Sequence, residues 1–296
     1  MSAVPVTSAP ALDRQRQRAV RAGRLTRVAP GLVLTDPAGR ELLRAAVDHG
    51  GPGARATGAL LLHLRGWRWA PEVAQAQVLV PAERRRVSTP LVSVRRCRGL
   101  DALADERWAG LPVAPPARAL LDAGLHLPHL GAVRGVVLAA VADGRVRPQD
   151  VTALLAREPR GGTARVRRAL LDAARGAASP PEAELADALA GCGVPFCLNP
   201  DLLVDGVLVG RPDVWLLGRG TGAEVDSLEH HGSQDDLDAT LDRDLRFTER
   251  GLVLAHVTPR RLRAEPRRTV ARLLETARGR QDPPGLTVRL RGPVLR

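Results

Sequence analysis

The chain of 296 residues has no lysine and no tyrosine, and it has only three cysteines. All 44 of its basic residues are therefore arginine, which together with 24 prolines indicates the codon bias of a GC-rich genome. An odd cysteine count, with no charged start and apolar core at the amino terminus, argues against a disulfide-bonded secreted protein. No apolar run approaches the ~18–20 residues that cross a bilayer. We therefore expect a cytoplasmic protein that is not inserted in a membrane.

The positive charge is unevenly distributed along the chain. Residues 1–100 carry 17 arginines against 6 acidic residues, whereas residues 179–281 carry 13 arginines against 17 acidic residues. A basic surface gains affinity for nucleic acid by releasing counterions, while clustered carboxylates need a metal ion before they can approach phosphate. The distribution predicts a basic DNA-binding part followed by an acidic, metal-dependent part. A solvated basic surface without a partner is the alternative interpretation.

Residues 212–232, PDVWLLGRGTGAEVDSLEHHG, carry the main candidate chemistry. Two short apolar runs flank a glycine-rich turn at 218–222, a pattern typical of a β-hairpin. Side chains two apart on a strand share a face, so Glu224 and Asp226 point the same way and the hairpin returns Asp213 beside them. Three carboxylates on one face repel one another unless a cation lies between them, and oxygen ligands suit Mg²⁺ or Mn²⁺. We predict a metal site at Asp213, Glu224 and Asp226.

At these residues the chain resembles the P-D…(D/E)-x-K nuclease superfamily, in the branch similar to very-short-patch-repair endonucleases. The resemblance rests on Asp213, on Glu224-Val225-Asp226 and on His231. Two positions depart from the pattern: Asp226 stands where the superfamily has lysine, and Ser227 stands where the branch has glycine. The resemblance implies a restriction-endonuclease-like mixed sheet flanked by helices, and metal-dependent hydrolysis of DNA phosphodiesters.

The same resemblance implies a role for each candidate residue. Asp213 and Glu224 would hold Mg²⁺ or Mn²⁺, and Asp226 would bind a second ion or orient the attacking water. His231, or its neighbour His230, would act as a general base or protonate the leaving oxygen.

Two further positions of the carboxy-terminal part have two interpretations each. Ser179-Pro180-Pro181-Glu182 is similar to the S-P-x-E opening of the nuclease branch, and it is also a helix capping box. Glu182 is therefore either a backbone cap or an outer carboxylate of the metal site. Arg243 lies in a segment that resembles the family's D-x-x-R-D. It either contacts the scissile phosphate or pairs with Asp244 or Asp226.

Near the amino terminus, a predicted helix at residues 12–22 carries Arg14, Arg16, Arg18 and Arg21, and a small hairpin with Arg27 follows. This order resembles the winged-helix domain of type IV abortive-infection antitoxins. The segments ATGALLLHLRGW and LPVAPPARALLDAG are similar to further segments of the same group. The resemblance implies that these five arginines contact DNA. Residues 1–11 leave no room for the helices that usually precede the recognition helix, so the winged helix is truncated.

Together these patterns predict an α/β protein built from consecutive regions. These are a disordered start (1–11), a mainly helical α+β antitoxin-like region (12–124), a helical connector (125–178), an endonuclease-like domain (179–281) and a basic tail (282–296). The leading hypothesis is a Mg²⁺-dependent endodeoxyribonuclease with a basic DNA-binding region. The alternatives are an inactive nuclease fold in an antitoxin-like transcriptional regulator, a regulator that works through its amino-terminal domain, and an interaction protein without DNA. DNA is the expected partner, a protein partner or homodimer is left open, and no membrane or small-molecule substrate is expected.

Overall fold

The computed structural model describes residues 10–159, 161–226 and 234–296. Within them the chain forms a mixed α/β structure of helices and four separate sheets. It divides into two compact units, the first ending at Arg167 and the second comprising Arg168–Arg296. Of the predicted features, the start at 1–9 and the residues Ser227, His230 and His231 lie outside the described part. Among the described residues no helix is both long and apolar enough to cross a membrane.

Among its described residues the first unit contains seven strands, six complete helices and the first turn of a seventh. The helices are α1 Pro10–Arg21, α2 Gly39–Gly50, α3 Gly58–Leu64, α4 Pro116–His126, α5 Leu130–Ala142, α6 Pro148–Leu155 and α7 Ala164–Ala174. The strands are β1 Thr26–Ala29, β2 Leu32–Leu34, β3 Arg55–Thr57, β4 Ala76–Pro81, β5 Val92–Cys97, β6 Glu106–Trp108 and β7 Leu111–Val113.

A mixed five-stranded sheet in the order β5-β4-β3-β7-β6 forms the centre of the first unit. Every residue of β4 is buried, its polar side chain Gln77 included, and α2 and α3 pack against it. The sheet and the helices packed on it make this part of the chain an α+β arrangement. Strands β3, β6 and β7 have three residues each, too few to show an alternating pattern.

The apolar pattern over residues 54–64 predicts one helix, but the chain forms β3 followed by α3 there. The change occurs at Gly58, whose φ of +78° is outside the helical region and favours glycine. Gln77 fills the space that a Gly58 side chain would take, and its Oε1 accepts a hydrogen bond from Ala59 N at 3.1 Å. Local apolar spacing cannot register this long-range contact.

The helix and hairpin predicted near the amino terminus are confirmed as α1 and the antiparallel β1–β2 pair, here called the wing. The wing packs on α2, and Val28 and Ala29 of its first strand are buried. The residues between its strands, Pro30 and Gly31, form the exposed turn.

A buried ion-pair network holds α4 in place. Arg118 donates to both oxygens of Asp122, at 3.0 and 2.8 Å, and to Glu158 at 2.8 Å. Thr57 of β3 and Arg95 of β5 also donate to Asp122, which is 1% exposed. The spacing of Arg118 and Asp122, four residues apart on one helix face, predicts this pair, and the structure confirms it. Helices α5 and α6, predicted as a connector, pack against α4, so the compact units divide at 167 and not at the predicted 178.

The second unit contains four helices and seven strands. The helices are α8 Pro180–Leu189, α9 Gln234–Glu249, α10 Pro259–Ala264 and α11 Pro266–Thr276. The strands are β8 Phe196–Leu198, β9 Asp201–Val204, β10 Val207–Gly210, β11 Val214–Leu216, β12 Thr221–Val225, β13 Val253–Val257 and β14 Leu286–Arg289.

A mixed four-stranded sheet in the order β13-β12-β11-β8 carries the candidate metal site. The predicted hairpin is confirmed as the antiparallel β11–β12 pair, in which Val214 faces Ala223. Strand β13 returns parallel to β12 after α9, and it places His256 opposite Glu224. The side chains of Trp215 and Phe247 are fully buried in the core beneath this sheet.

The predicted basic tail contributes a strand. Residues Leu286–Arg289 form β14, which pairs antiparallel with β9 and completes the three-stranded sheet β10-β9-β14. Asp282, just before β14, accepts hydrogen bonds from Gly218 N at 3.0 Å and Gly220 N at 2.7 Å. The segment after residue 281 therefore supports the turn of the β11–β12 hairpin.

Candidate functional site

Three acidic side chains meet at one end of the β11–β12 hairpin. Asp213 directly precedes β11, Glu224 lies in β12, and the facing of Val214 and Ala223 makes these two acids cross-strand neighbours. Glu182 comes from the first turn of α8 and is 6% exposed, while Glu224 is 7% exposed. This group is called the acidic cluster below.

Backbone and amide donors fix two of these carboxylates. Val225 N donates to Asp213 Oδ2 at 2.7 Å. Glu182 Oε2 accepts from Ala178 N at 2.8 Å and from Asn199 Nδ2 at 2.6 Å. Asn199 N also donates to the carbonyl of Asp213 at 3.0 Å, so Asn199 ties Glu182 to the start of β11.

Glu182 takes part in the amino-terminal cap of α8, but its hydrogen bonds differ from those of the usual capping box. Ser179 Oγ accepts from Glu182 N at 3.4 Å, as a capping box requires, but Glu182 returns its bond to Ala178 N and not to Ser179 N. Its charge also acts on Asp213. The cap and the acidic cluster therefore share one side chain, and the two interpretations of Glu182 do not exclude each other.

Burial and mutual repulsion perturb the acidic cluster. The pKa of Asp213 is raised to about 7, first by burial and then by the negative charge of Glu182. The pKa of Glu224 is raised to about 8, first by burial and then by the negative charge of Asp213. Arg243 opposes both shifts. Buried acids that interact in this way favour either a proton or a bound cation between them.

Arg243 pairs with a different acid from those named by the sequence analysis. Its Nη2 lies 2.7 Å from Glu224 Oε1 and also donates to the carbonyl of Arg211 at 2.5 Å. The predicted pairing with Asp244 or Asp226 is therefore wrong: the imidazole of His256 lies between those two acids, and Arg243 pairs with Glu224. The guanidinium group compensates part of the charge of the acidic cluster.

Asp226 has a partner that the sequence analysis missed. His256 Nδ1 lies 2.8 Å from Asp226 Oδ2, and His256 Nε2 lies 2.9 Å from Asp244 Oδ2. The hydrogen bond with Asp226 is the main cause that raises the pKa of His256 to about 9, so the imidazole is protonated at neutral pH. The sequence shows His256 only as a residue of the apolar run LVLAHV, which predicts a strand and no pairing partner. Its pairing with Asp226 depends on the β12–β13 register, which no local pattern specifies.

The donor chemistry of the acidic cluster suits a divalent cation. Within the described residues, Glu182 Oε1, Asp213 Oδ1 and Glu224 Oε2 make no hydrogen bond, so each acid keeps one oxygen for a ligand. In the same part of the chain, however, no group of three or more His, Cys, Asp or Glu side chains is arranged so that it could hold a metal ion. The residue types therefore suit Mg²⁺ or Mn²⁺, but their side chains are not arranged around a common metal position, and Glu224 is paired with Arg243.

The arginines predicted to contact DNA lie in the first unit, except for Arg243. Arg18, Arg21 and Arg27 are exposed on α1 and the wing, and Arg16 is partly exposed. The side chain of Arg14 is outside the described part of the chain. The acidic cluster brings together Glu182, Asp213 and Glu224, whereas Asp226 pairs with His256.

Comparison with known proteins assigns this chain to no family. No family model matches the chain, and no curated protein matches it. Among solved structures, the chain is similar to the Rv2827c protein from Mycobacterium tuberculosis, with 19% sequence identity and a TM-score of 0.37. The similarity covers 58% of this chain and 67% of that protein's chain.

Proposed function

We propose that the second unit is a metal-dependent endodeoxyribonuclease domain of the restriction-endonuclease type, joined to a DNA-binding first unit. The observation that carries this proposal is the pair Asp213 and Glu224, two buried carboxylates held side by side with raised pKa values. Packing alone gains nothing from such a pair, because burial of like charges is unfavourable. Perturbed acids of this kind are typical of functional sites.

Asp213 and Glu224 would hold Mg²⁺ or Mn²⁺ through their remaining oxygens. When bound, the ion would polarise the phosphodiester and lower the pKa of a nearby water. The other groups supply charge: Arg243 and the His256 imidazolium lie beside the acids in a chain that has no lysine. A positive charge there would stabilise the negative charge that develops on phosphate. Asp226 and Asp244 hold the imidazole in place through its two ring nitrogens.

The test is cleavage of supercoiled plasmid DNA with Mg²⁺ or Mn²⁺. Asp213→Asn and Glu224→Gln remove one charge each and nearly preserve shape, and Glu275→Gln is the matched control because its side chain is 61% exposed on α11. We expect the wild type and the control to nick the plasmid, and each site variant to lose about 100-fold or more of the rate. Equal nicking by all four proteins would contradict the assignment.

A second function is favoured by the same ion pairs. Arg243 neutralises Glu224, and His256 bridges Asp226 and Asp244, so the cluster carries its own cations. This favours a nuclease fold without activity in an antitoxin-like DNA-binding regulator. Calorimetric titration with Mg²⁺ and Mn²⁺ distinguishes the two functions. The nuclease requires binding that Asp213→Asn removes, whereas the regulator requires DNA binding that does not change in EDTA.

A further inference from the structure

A cavity of about 700 Å³ lies in the first unit, beside the wing. Pro30 and Gly31 of the wing line one side, and the end of α2 with the turn 51–54 lines another. Arg44 and Arg86 complete the lining. The cavity is therefore bordered by an exposed hairpin turn and by guanidinium groups from two separate segments.

Residues 84–86 form an all-arginine turn after β4, and it comes close to the cavity. A methyl group built on Gly51 would lie 3.5 Å from Arg86 Nη2 and 4.0 Å from Arg84 Nη1. Both guanidinium groups thus approach the backbone at Gly51, where glycine leaves them room. Arg85 is exposed between them.

Two hydrogen bonds attach this turn to the wing and to α2. Thr89 Oγ1 donates to Val28 O at 2.7 Å, although 61 residues separate them. His49 Nε2, from a side chain buried at the end of α2, donates to Val87 O at 2.9 Å. The turn, the wing and the end of α2 are consequently held as one surface.

The arginines at this cavity lack the acidic partners found elsewhere in the same unit. Arg65, Arg95 and Arg118 each lie within 4.0 Å of a carboxylate. Within the described residues, by contrast, Arg44, Arg84 and Arg86 form no ion pair. Asp48 lines the same cavity, and the pKa of its carboxyl is raised by burial and opposed by Arg44. Arg44 thus has an acid nearby in Asp48, whereas Arg84 and Arg86 have none within ion-pair distance among the described residues, and guanidinium groups of this kind beside a cavity are suited to an external anion.

The geometry points to a phosphate-binding site in this cavity, at which Arg44, Arg84 and Arg86 contact the backbone of duplex DNA that runs beside the wing. A polyanion fits better than a single small anion, because residues 1–100 hold 17 arginines against 6 acids. The inference rests on the DNA-binding half of the proposed function and does not depend on cleavage.

The experiment measures binding of the full-length protein to a labelled 30-base-pair duplex by fluorescence anisotropy in EDTA, so that cleavage cannot contribute. The test variant is Arg84→Gln/Arg86→Gln. The control is Arg267→Gln/Arg272→Gln, which changes the net charge equally at two exposed positions of α11. We expect the test variant to bind about 10-fold or more weakly, and its plot of log affinity against log salt to be shallower by about 2, near 0.9 for each lost phosphate contact. The control should change affinity by less than about twofold.

Three results would overturn the inference. The test variant could bind DNA as the wild type does, both double variants could weaken equally, or wild-type binding could fail altogether. A site for a small anion is tested by adding inorganic phosphate, with chloride at the same ionic strength as the comparison. If phosphate protects the wild type but not the test variant from thermal unfolding while DNA binding is equal in both, the cavity binds free phosphate and the DNA contact is refuted.

Failure of the nuclease proposal can be distinguished from failure of this inference. The binding experiment is run in EDTA, so a wild type that binds the duplex through these arginines but cleaves no plasmid would contradict the nuclease proposal alone. Arg44→Gln provides a second variant from a different segment, and it should weaken binding with a salt slope shallower by about 1. Thermal unfolding of each variant checks that the first unit is folded.

Discussion

His256 faces Glu224 across the parallel β12–β13 pair, and its ring bridges Asp226 and Asp244 at 2.8 and 2.9 Å. An imidazole with carboxylates at both nitrogens is a donor at both, and so it carries a positive charge. This charge lies next to the acidic cluster, and it lowers the pKa of Glu224 against the effects of burial. The pair therefore sets how the second unit responds to pH.

The first prediction concerns the pH dependence of His256→Gln in EDTA. The pKa of His256 rises from 6.5 to about 9 on folding, so the folded protein retains a proton that the unfolded chain releases between these values. The stabilisation is complete below pH 6.5 and is lost as the pH rises through about 9. The variant should have a lower Tm than the wild type at about pH 6, and the difference should shrink towards about pH 9.5.

Thermal unfolding at several pH values measures this difference. A gap in Tm that stays constant across the range would show that His256 acts by packing and not by charge. His63→Gln is a suitable control, since the ring of His63 bonds to the carbonyl of Ala70 and to no acid within the described residues.

The second prediction is that Asp213→Asn stabilises the metal-free protein. The pKa of Asp213 is about 7 in the folded state against 3.8 in the unfolded chain, so its ionisation is unfavourable to folding once the pH exceeds 3.8. Asparagine removes the charge and keeps an oxygen for Val225 N. The free energy of unfolding at pH 8 should rise by about 1–3 kcal/mol, with a smaller gain at about pH 5.

Denaturant unfolding at the two pH values tests the stability, and calorimetric titration of Mn²⁺ tests the site. The same variant should lose metal binding while it gains stability. Metal affinity equal to the wild type would remove Asp213 from the candidate site.

The third prediction compares two arginine–aspartate pairs of the first unit. Arg118→Met leaves Asp122 buried with a reduced set of donors, and it should lower the free energy of unfolding by about 3–5 kcal/mol. Arg147→Gln disrupts an exposed pair with Asp150, and it should leave the free energy of unfolding nearly unchanged. Denaturant unfolding of both variants gives the comparison. Similar values would show that the buried network is not needed for stability.

The fourth prediction concerns the segment after residue 281. Asp282→Ala removes acceptors from Gly218 N and Gly220 N, and it should destabilise the second unit by about 1–3 kcal/mol. Asp282→Asn keeps one amide oxygen and should lie between the alanine variant and the wild type. Faster hydrogen exchange at Gly218 and Gly220 in the alanine variant would locate the effect. Unchanged exchange and stability would contradict it.

The sequence predicts the local part of the site well. Alternation and the glycine-rich turn define the β11–β12 hairpin, and its register makes Asp213 and Glu224 neighbours without any further information. The capping residue Ser179 likewise marks the start of α8. The β11–β12 hairpin and the start of α8 were therefore found from pattern alone, whereas β3 and the β6–β7 pair were not.

The parts that the sequence does not predict depend on distant contacts. His256 contacts Asp226 because β13, which follows α9 in the chain, pairs with β12. Arg243 contacts Glu224 because α9 packs beside the sheet. Strand β14 has no signal of its own, since it forms by pairing with β9. In each case the partner lies outside any window in which periodicity can be read.

The parallel pairing of β12 with β13 also determines the order in which the site forms during folding. A hairpin such as β11–β12 closes locally in about 1–10 μs, which brings Asp213 and Glu224 together early. His256 and Arg243 arrive only after α9 and β13 have docked, and closing that longer loop is slower. The two acids therefore meet before their compensating cations. In the nascent hairpin these acids are not yet buried, so the hairpin should form more readily below about pH 4, where they are neutral, than at neutral pH.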